Sequence, residues 1–398
     1  MQVTLYRFDP KNVCSYNILM DIYQKVDNLG KAAAFDCEGP PALSRAERKA
    51  QVLDHSRTQV IHPKHGAIPI LRTMQTSACE RNCHYCPFQA GRNYQRVSFK
   101  PDELAKTFDQ MQRKDLVRGL FLSSGIIGGG VKSMTPMLDT VELLRRKYEY
   151  RGYIHLKIIP GAEDAQIERA ARLADRLSMN LEAANDQRLP ALAPKKNFKK
   201  ELLPPLYWVT QNQNRLGKWF KAPSLVTQFV VGPSGETDQE LLNTTQTLYQ
   251  QANLSRAYYS AFRPISGTTF EQMEATKPIR EHRLYQADWL LRFYGFELQD
   301  LPFDQQGNLP QADDPKLLWA KANLRDQPIE INTAPRNQLL RIPGIGPKSA
   351  DAIIAARRLG RLQTVQQLNQ IGVQHKRAAP FVLLNGRRPD FQLALPLP

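Results

Sequence analysis

Three cysteines of the chain, Cys79, Cys83 and Cys86, crowd into "TSACERNCHYCPFQAGR" with the spacing C-x3-C-x2-C. Thiolates at this spacing can sit on one loop and take three corners of a [4Fe–4S] cubane, in which each iron asks for one thiolate. The fourth iron then stays open to a ligand that is not protein. A zinc site needs a fourth protein ligand, and His84, adjacent to Cys83, is poorly placed to chelate the same ion. Five cysteines in all, an odd and uneven set, do not form a disulfide framework and suit a reducing, cytoplasmic setting. Cys14 and Cys37 remain as ordinary thiols, so no second cluster is expected.

A second stretch, "INTAPRNQLLRIPGIGPKSADAIIAARRLG" at 331–360, reads as two short helices joined by "PGIG". Gly344 and Gly346 allow a tight turn and close backbone approach to a ligand. Pro347 suits the first turn of the second helix. The free N–H groups at that helix start form a phosphate site, with Lys348 adding charge beside it. Pro343, Gly344, Ile345, Gly346, Lys348 and Ser349 are the candidate nucleic-acid contacts. "TVQQLNQIGVQHKRAAPFVL" is a weaker second hairpin. A net charge of +16 favours a polyanionic partner.

These residues need elements to hold them. Six apolar runs alternate with amphipathic helices between about 72 and 264: "RTMQTSA", "GLFLSSG", "YIHLKIIPG", "MNLEAA", "SLVTQFVVG" and "RAYYSAFRP". Such alternation implies right-handed βαβ units and a parallel sheet. A partial (β/α)6 barrel and an open doubly wound sheet both satisfy it. Residues 1–71 read as an N-terminal helical extension and 72–300 as the α/β core. A basic insertion at 185–223 carries Trp208, Trp219 and Phe220. It reads either as a nucleic-acid surface or as an amphipathic cover with core aromatics. Residues 301–325 are linker and helix, and 326–398 a small all-α domain. "GIIGGG" lacks the GK[ST] ending of a P-loop and is read as turn glycine. The N-terminus has no charged start followed by an apolar run, and no stretch is long enough to span a bilayer.

The cysteine loop, with Tyr85 just before its last cysteine, resembles that of radical S-adenosylmethionine (SAM) enzymes. The resemblance implies a partial (β/α)6 TIM-like barrel. It also implies a [4Fe–4S] cluster held by Cys79, Cys83 and Cys86, with SAM on the open iron. A single electron then releases a 5′-deoxyadenosyl radical. "FLSSGI" resembles the segment that binds the methionine amino group, with Ser123-Ser124-Gly125 in place of Gly-Gly-Glu. "NLEA" puts Glu182 where related enzymes bond the ribose, "QFVVGPSGET" resembles the adenine-lining segment, and Tyr85 would meet adenine through its backbone. The C-terminal stretch resembles a helix-hairpin-helix module.

Together these segments resemble radical SAM proteins assigned to DNA modification or repair. The resemblance implies an enzyme that binds DNA and attacks a nucleotide or lesion, fed by a donor such as flavodoxin or ferredoxin, with no membrane partner. Two alternatives stay open. One is a radical enzyme for a small molecule or protein that is only tethered to nucleic acid. The other is a DNA-binding protein with a structural or redox-sensing cluster. No catalytic side chain is identified.

Overall fold

Seven strands, β1 (Arg57–His62), β2 (Gly66–Met74), β3 (Gly119–Ser123), β4 (Tyr153–Lys157), β5 (Arg176–Ser178), β6 (Ser224–Val231) and β7 (Arg256–Ala261), form one sheet in chain order. The structure is a computed structural model and describes residues 22–33, 57–62, 66–212 and 221–389. β1 pairs antiparallel with β2, and β2 to β7 are parallel throughout. A doubly wound sheet reverses its strand order at a switch point. Here the order never reverses, so right-handed crossovers carry successive helices to one face. The six parallel strands thus make a half-barrel of TIM-like type.

The helices are α1 (Ile22–Ala33), α2 (Pro101–Arg113), α3 (Gly130–Arg146), α4 (Asp164–Leu173), α5 (Leu189–Leu192), α6 (Pro204–Gln211) and α7 (Asp238–Gln251). α2 packs on α3, α3 on α4 and α4 on α6. Strands covered on both faces need continuous apolar runs, and all five residues of β3 are buried. α2 begins as its sequence requires, with Pro101 at its start and Asp102 and Glu103 in the first turn.

Two expectations change. Residues 57–62 and 66–71 fell within the expected helical extension, yet they form β1 and most of β2. The apolar run "AIPIL" finds its partners in β1 and β3. The fourth parallel strand is Arg176–Ser178, just ahead of the expected run "MNLEAA", because those residues pair with both β4 and β6. "NLEA" follows that strand and keeps one bridge, Glu182 to Phe229. In the insertion, Trp208 and Phe198 are buried, so this part is cover with core aromatics. Trp219, Phe220, Cys14 and Cys37 lie outside the described residues.

Two compact units result: Met1–Glu236 with Thr247–Thr276, and Thr237–Gln246 with Lys277–Pro398. The second contains α8 (Pro278–Phe293), α9 (Pro315–Asn323), α10 (Arg336–Leu339), α11 (Pro347–Leu359), α12 (Val365–Gln370) and α13 (His375–Ala378). Ile331, Leu339, Ile342, Ile345, Ile353, Leu368 and Phe381 share its core. A two-stranded parallel pair, β8 (Ile329–Glu330) with β9 (Val382–Leu383), joins its two ends and had no signal in the sequence.

Candidate cluster site and nucleic-acid interface

The cysteine loop leaves β2 at its C-terminal end and is fastened to the loop after β3. The Gln75 N–H donates to the Ser123 carbonyl at 2.8 Å, Gly125 N–H to Thr76 at 2.7 Å and Glu80 N–H to Ile126 at 2.7 Å. The Glu80 carboxylate accepts from the N–H groups of Gly128 and Gly129 at 2.8 and 3.1 Å. Gly125 has no room for a side chain, since a Cβ there would lie 2.1 Å from the Ala78 carbonyl oxygen. Arg96 fills the inside of the loop and donates to the carbonyls of Ser77, Phe88 and Gln89 at 2.9, 2.9 and 3.0 Å. The insertion closes the other side. The Arg81 guanidinium donates to the Lys195 carbonyl and pairs with Glu201 at 2.9 Å. His84 is anchored to the insertion: its backbone N–H donates to the Leu192 carbonyl and its Nδ1 bonds the Ala191 carbonyl at 2.9 Å.

Cys83 is buried, Cys79 and Cys86 are half-buried, and all three are unpaired thiols. The Cys86 N–H donates to the Cys83 carbonyl at 3.0 Å, and Cys86 Sγ accepts from the Phe88 N–H at 3.4 Å. Burial pushes the Cys86 thiol up, and its neighbours Cys83 and Cys79 push it further. Burial likewise raises Cys83, while the Lys196 ammonium pulls it down. Thiols that disfavour one another's ionisation are a poor anionic cluster and a good ligand set for a polycationic one. Among the described residues, no three His, Cys, Asp or Glu side chains gather tightly enough for a single metal ion. A cubane asks only one thiolate per iron, so its ligands need not converge on a point.

The strand ends beside this loop carry open polar atoms. Ser123 Oγ at the end of β3, Ser124 Oγ just after it, and Asn180 Oδ1 after β5 are buried without a hydrogen-bond partner. Such groups are costly unless something accepts or donates to them, and a polar, amino-acid-bearing cofactor can. Glu182 lies on the same side with φ of +67°, a left-handed value disfavoured for a residue with a side chain. Its backbone is locked to β6, with its N–H on Gln228 at 3.0 Å and its carbonyl on the Val230 N–H at 2.7 Å. Its carboxylate pairs with Lys196 Nζ at 2.8 Å, and both side chains are buried. Burial alone would lower the Lys196 ammonium, but the Cys83 thiolate and the Glu182 carboxylate hold it up. The Tyr85 hydroxyl faces the same carboxylate and is raised by burial first, then by Glu182. Sequence reasoning missed Lys196, Arg96 and Glu80.

In the second unit, α10 and α11 flank the expected turn. Gly344 has φ of +82°, and a Cβ there would lie 2.5 Å from the Gln374 carbonyl oxygen. Gly346 is not strained: it sits extended as the N-cap of α11. The need for glycine by backbone geometry therefore falls on Gly344. Ile345 and Pro343 are buried, so Ile345 can meet a ligand only through its backbone. Lys348 is exposed. Ser349 Oγ donates to the Gly372 carbonyl at 2.8 Å, which ties α11 to the turn between α12 and α13. That turn, with Gly372 at φ of +81°, gives the second hairpin.

Residues 74–248 match the radical SAM superfamily. The chain carries a radical SAM domain. Enzymes of that superfamily use a [4Fe–4S] cluster and S-adenosylmethionine. Residues 325–373 match the helix-hairpin-helix motif. No curated protein matches the chain. Among solved structures it is similar to the FeFe-hydrogenase maturase HydG from Carboxydothermus hydrogenoformans. The identity is 17%, over 55% of this chain and 49% of that one, with a TM-score of 0.42. Methylornithine synthase (PylB) is 13% identical over 72% of this chain and 73% of its own, with a TM-score of 0.42. The cobalamin-dependent enzyme OxsB is 12% identical over 73% and 45%, with a TM-score of 0.33. The chain spans about half the length of the HydG chains it matches. No helix among the described residues is long and apolar enough to cross a membrane.

Proposed function

We propose that the protein modifies or repairs a nucleotide in DNA, held by its helix-hairpin-helix unit while the radical SAM domain does the chemistry. Cys79, Cys83 and Cys86 hold the cluster. Ser123, Ser124 and the backbone at Gly125 take the methionine end of SAM, and Glu182 with Tyr85 takes the nucleoside end. When bound, these cofactors supply a hydrogen-abstracting radical after one electron arrives from a flavodoxin- or ferredoxin-type donor. The chain's own work is to hold, orient and shield. Arg96 and Glu80 fix the cysteine loop, and the insertion covers it.

One observation carries the choice of nucleic acid: the amide end of α11 beside exposed Lys348, in a chain of net charge +16. Contacts of this kind are to phosphate and give affinity without sequence choice. A base in duplex DNA must leave the stack to reach a strand-end site, so single-stranded or damaged DNA is the preferred form for the reaction, while the hairpin's phosphate contacts serve duplex DNA as well. The cytoplasm suits both the thiols and the substrate.

The test is SAM cleavage by reduced, cluster-loaded protein with and without DNA. Stimulation of 5′-deoxyadenosine formation by DNA, strongest with single strands, is expected. DNA binding without stimulation would reduce the hairpin to a tether. No cleavage by an intact cluster would leave a structural or sensing centre.

A further inference from the structure

The hairpin turn is braced by a group from outside it. Lys316, the second residue of α9, is buried, and its ammonium donates to the Ile345 carbonyl at 2.5 Å. The same ammonium stands 4.6 Å from the centre of the Tyr294 ring. The charges that face it are Asp314, the N-cap of α9, and Arg377 of α13, and these two pair with each other. The Tyr294 hydroxyl is raised by burial and stays neutral. Lys316 therefore has a carbonyl and a ring face as its closest partners, not a carboxylate of its own. An ammonium buried this way is costly, and lysine is among the residues least often found inside.

The Ile345 carbonyl and the Gly346 N–H belong to one trans peptide plane and point in opposite directions. Holding the oxygen inward on the ammonium turns the N–H outward. No backbone acceptor takes the Gly346 N–H among the described residues. A cation on the oxygen also polarises the peptide and strengthens its N–H as a donor. We propose that Lys316 is the positioning residue of the phosphate site. Its ammonium fixes and polarises the peptide that presents the Gly346 N–H to a nucleic-acid phosphate. This rests on the nucleic-acid reading of the hairpin.

The charge is also a switch. Burial pulls the Lys316 ammonium down to about 7, with Asp314 opposing the shift and Arg377 adding to it. Affinity for DNA then falls as pH rises through that value. Stability moves the other way. An unfolded lysine keeps its proton to roughly pH 10.4, so above the folded value the unfolded state binds more protons and stability rises with pH. A purely structural lysine would not weaken DNA binding while stability rises.

The experiment is the affinity of the full chain for an arbitrary duplex oligonucleotide at fixed salt, followed by fluorescence anisotropy. It spans roughly pH 6 to 8.5, on either side of the histidine and buried-lysine range. Wild type should weaken about tenfold across it, the size of one charge-assisted hydrogen bond. Lys316→Met should bind weakly even at the acid end and show no slope. Lys316→Arg should keep its acid-end affinity throughout. His375→Asn, a control on the neighbouring helix α13, should retain the wild-type slope. If Lys316→Met does not fold, the wild-type slope and the arginine variant decide. Equal affinity and slope in wild type and a folded Lys316→Met would overturn the assignment while leaving DNA binding intact. Absence of binding at every pH would overturn both.

Discussion

Glu182 and Lys196 show how much of the cluster site depends on a single pair. Glu182 holds a left-handed backbone, a conformation that costs about 1–3 kcal/mol and persists only where the surroundings over-determine it. Lys196 is its buried counter-ion. Lys196→Met would leave the carboxylate buried and uncompensated, at a cost of about 3–5 kcal/mol. The double variant Glu182→Gln with Lys196→Met removes both charges and should recover much of that loss. Urea unfolding of the three proteins measures this, and a single variant as stable as the double would show the pair to be uncoupled. The three cysteines were legible in the sequence because cluster ligation demands one residue type at fixed spacing. Lys196 was not. It stands in "PKKNFKK", and nothing in a run of lysines says which one turns inward. Lys316 was hidden for the same reason, since its partner is a backbone carbonyl with no sequence signature.

At the scale of elements, parallel strands were legible wherever both faces are covered. β3, β4 and β6 read as apolar runs because burial on both sides leaves no polar alternation. β5 failed because it is only three residues long and continues an amphipathic stretch. Its pairing with two neighbours overrides helix propensity, and only the tertiary structure supplies those neighbours. β1 failed because an edge strand that covers β2 needs little apolar signal of its own. "SSG" was legible only as a segment resembling one that binds the cofactor, not as the place where one loop fastens to another. Gly125 is required because the cysteine-loop backbone crosses it. A Cβ 2.1 Å from a carbonyl oxygen must separate the loops, and overpacking of this kind costs about 1–3 kcal/mol or more. Gly125→Ala should therefore retain clearly less iron after anaerobic reconstitution, with secondary structure by circular dichroism preserved. Gly360→Ala, where a Cβ meets nothing within 4 Å, is the control and should keep its iron. Equal iron in the two variants would remove the inter-loop contact from cluster assembly.

For the whole molecule, the relevant quantity is charge. Lysine and arginine outnumber aspartate and glutamate by 54 to 38, which draws the protein to any polyanion and cannot by itself say where the polyanion sits. The hairpin makes that location testable. Counterions released from each neutralised phosphate make log affinity fall linearly with log salt. Lys348 is exposed beside the α11 start, so Lys348→Ala should reduce the salt slope by about one. Gly346→Val should weaken binding at every salt, because it adds bulk where a phosphate must approach. The nearest protein atom to the new Cβ would be the Tyr294 hydroxyl at 3.3 Å. That hydroxyl must give by a few tenths of an ångström, so the loss is attributed to the ligand in a variant whose thermal unfolding matches wild type. Both losses should be similar for unrelated duplex sequences, since phosphate contacts carry no sequence information. Iron content should be unchanged in both variants. A salt titration of the intact protein reads all of this at once. A slope unaltered by Lys348→Ala, with affinity unaltered by Gly346→Val, would move the phosphate contacts off the hairpin and onto another basic surface.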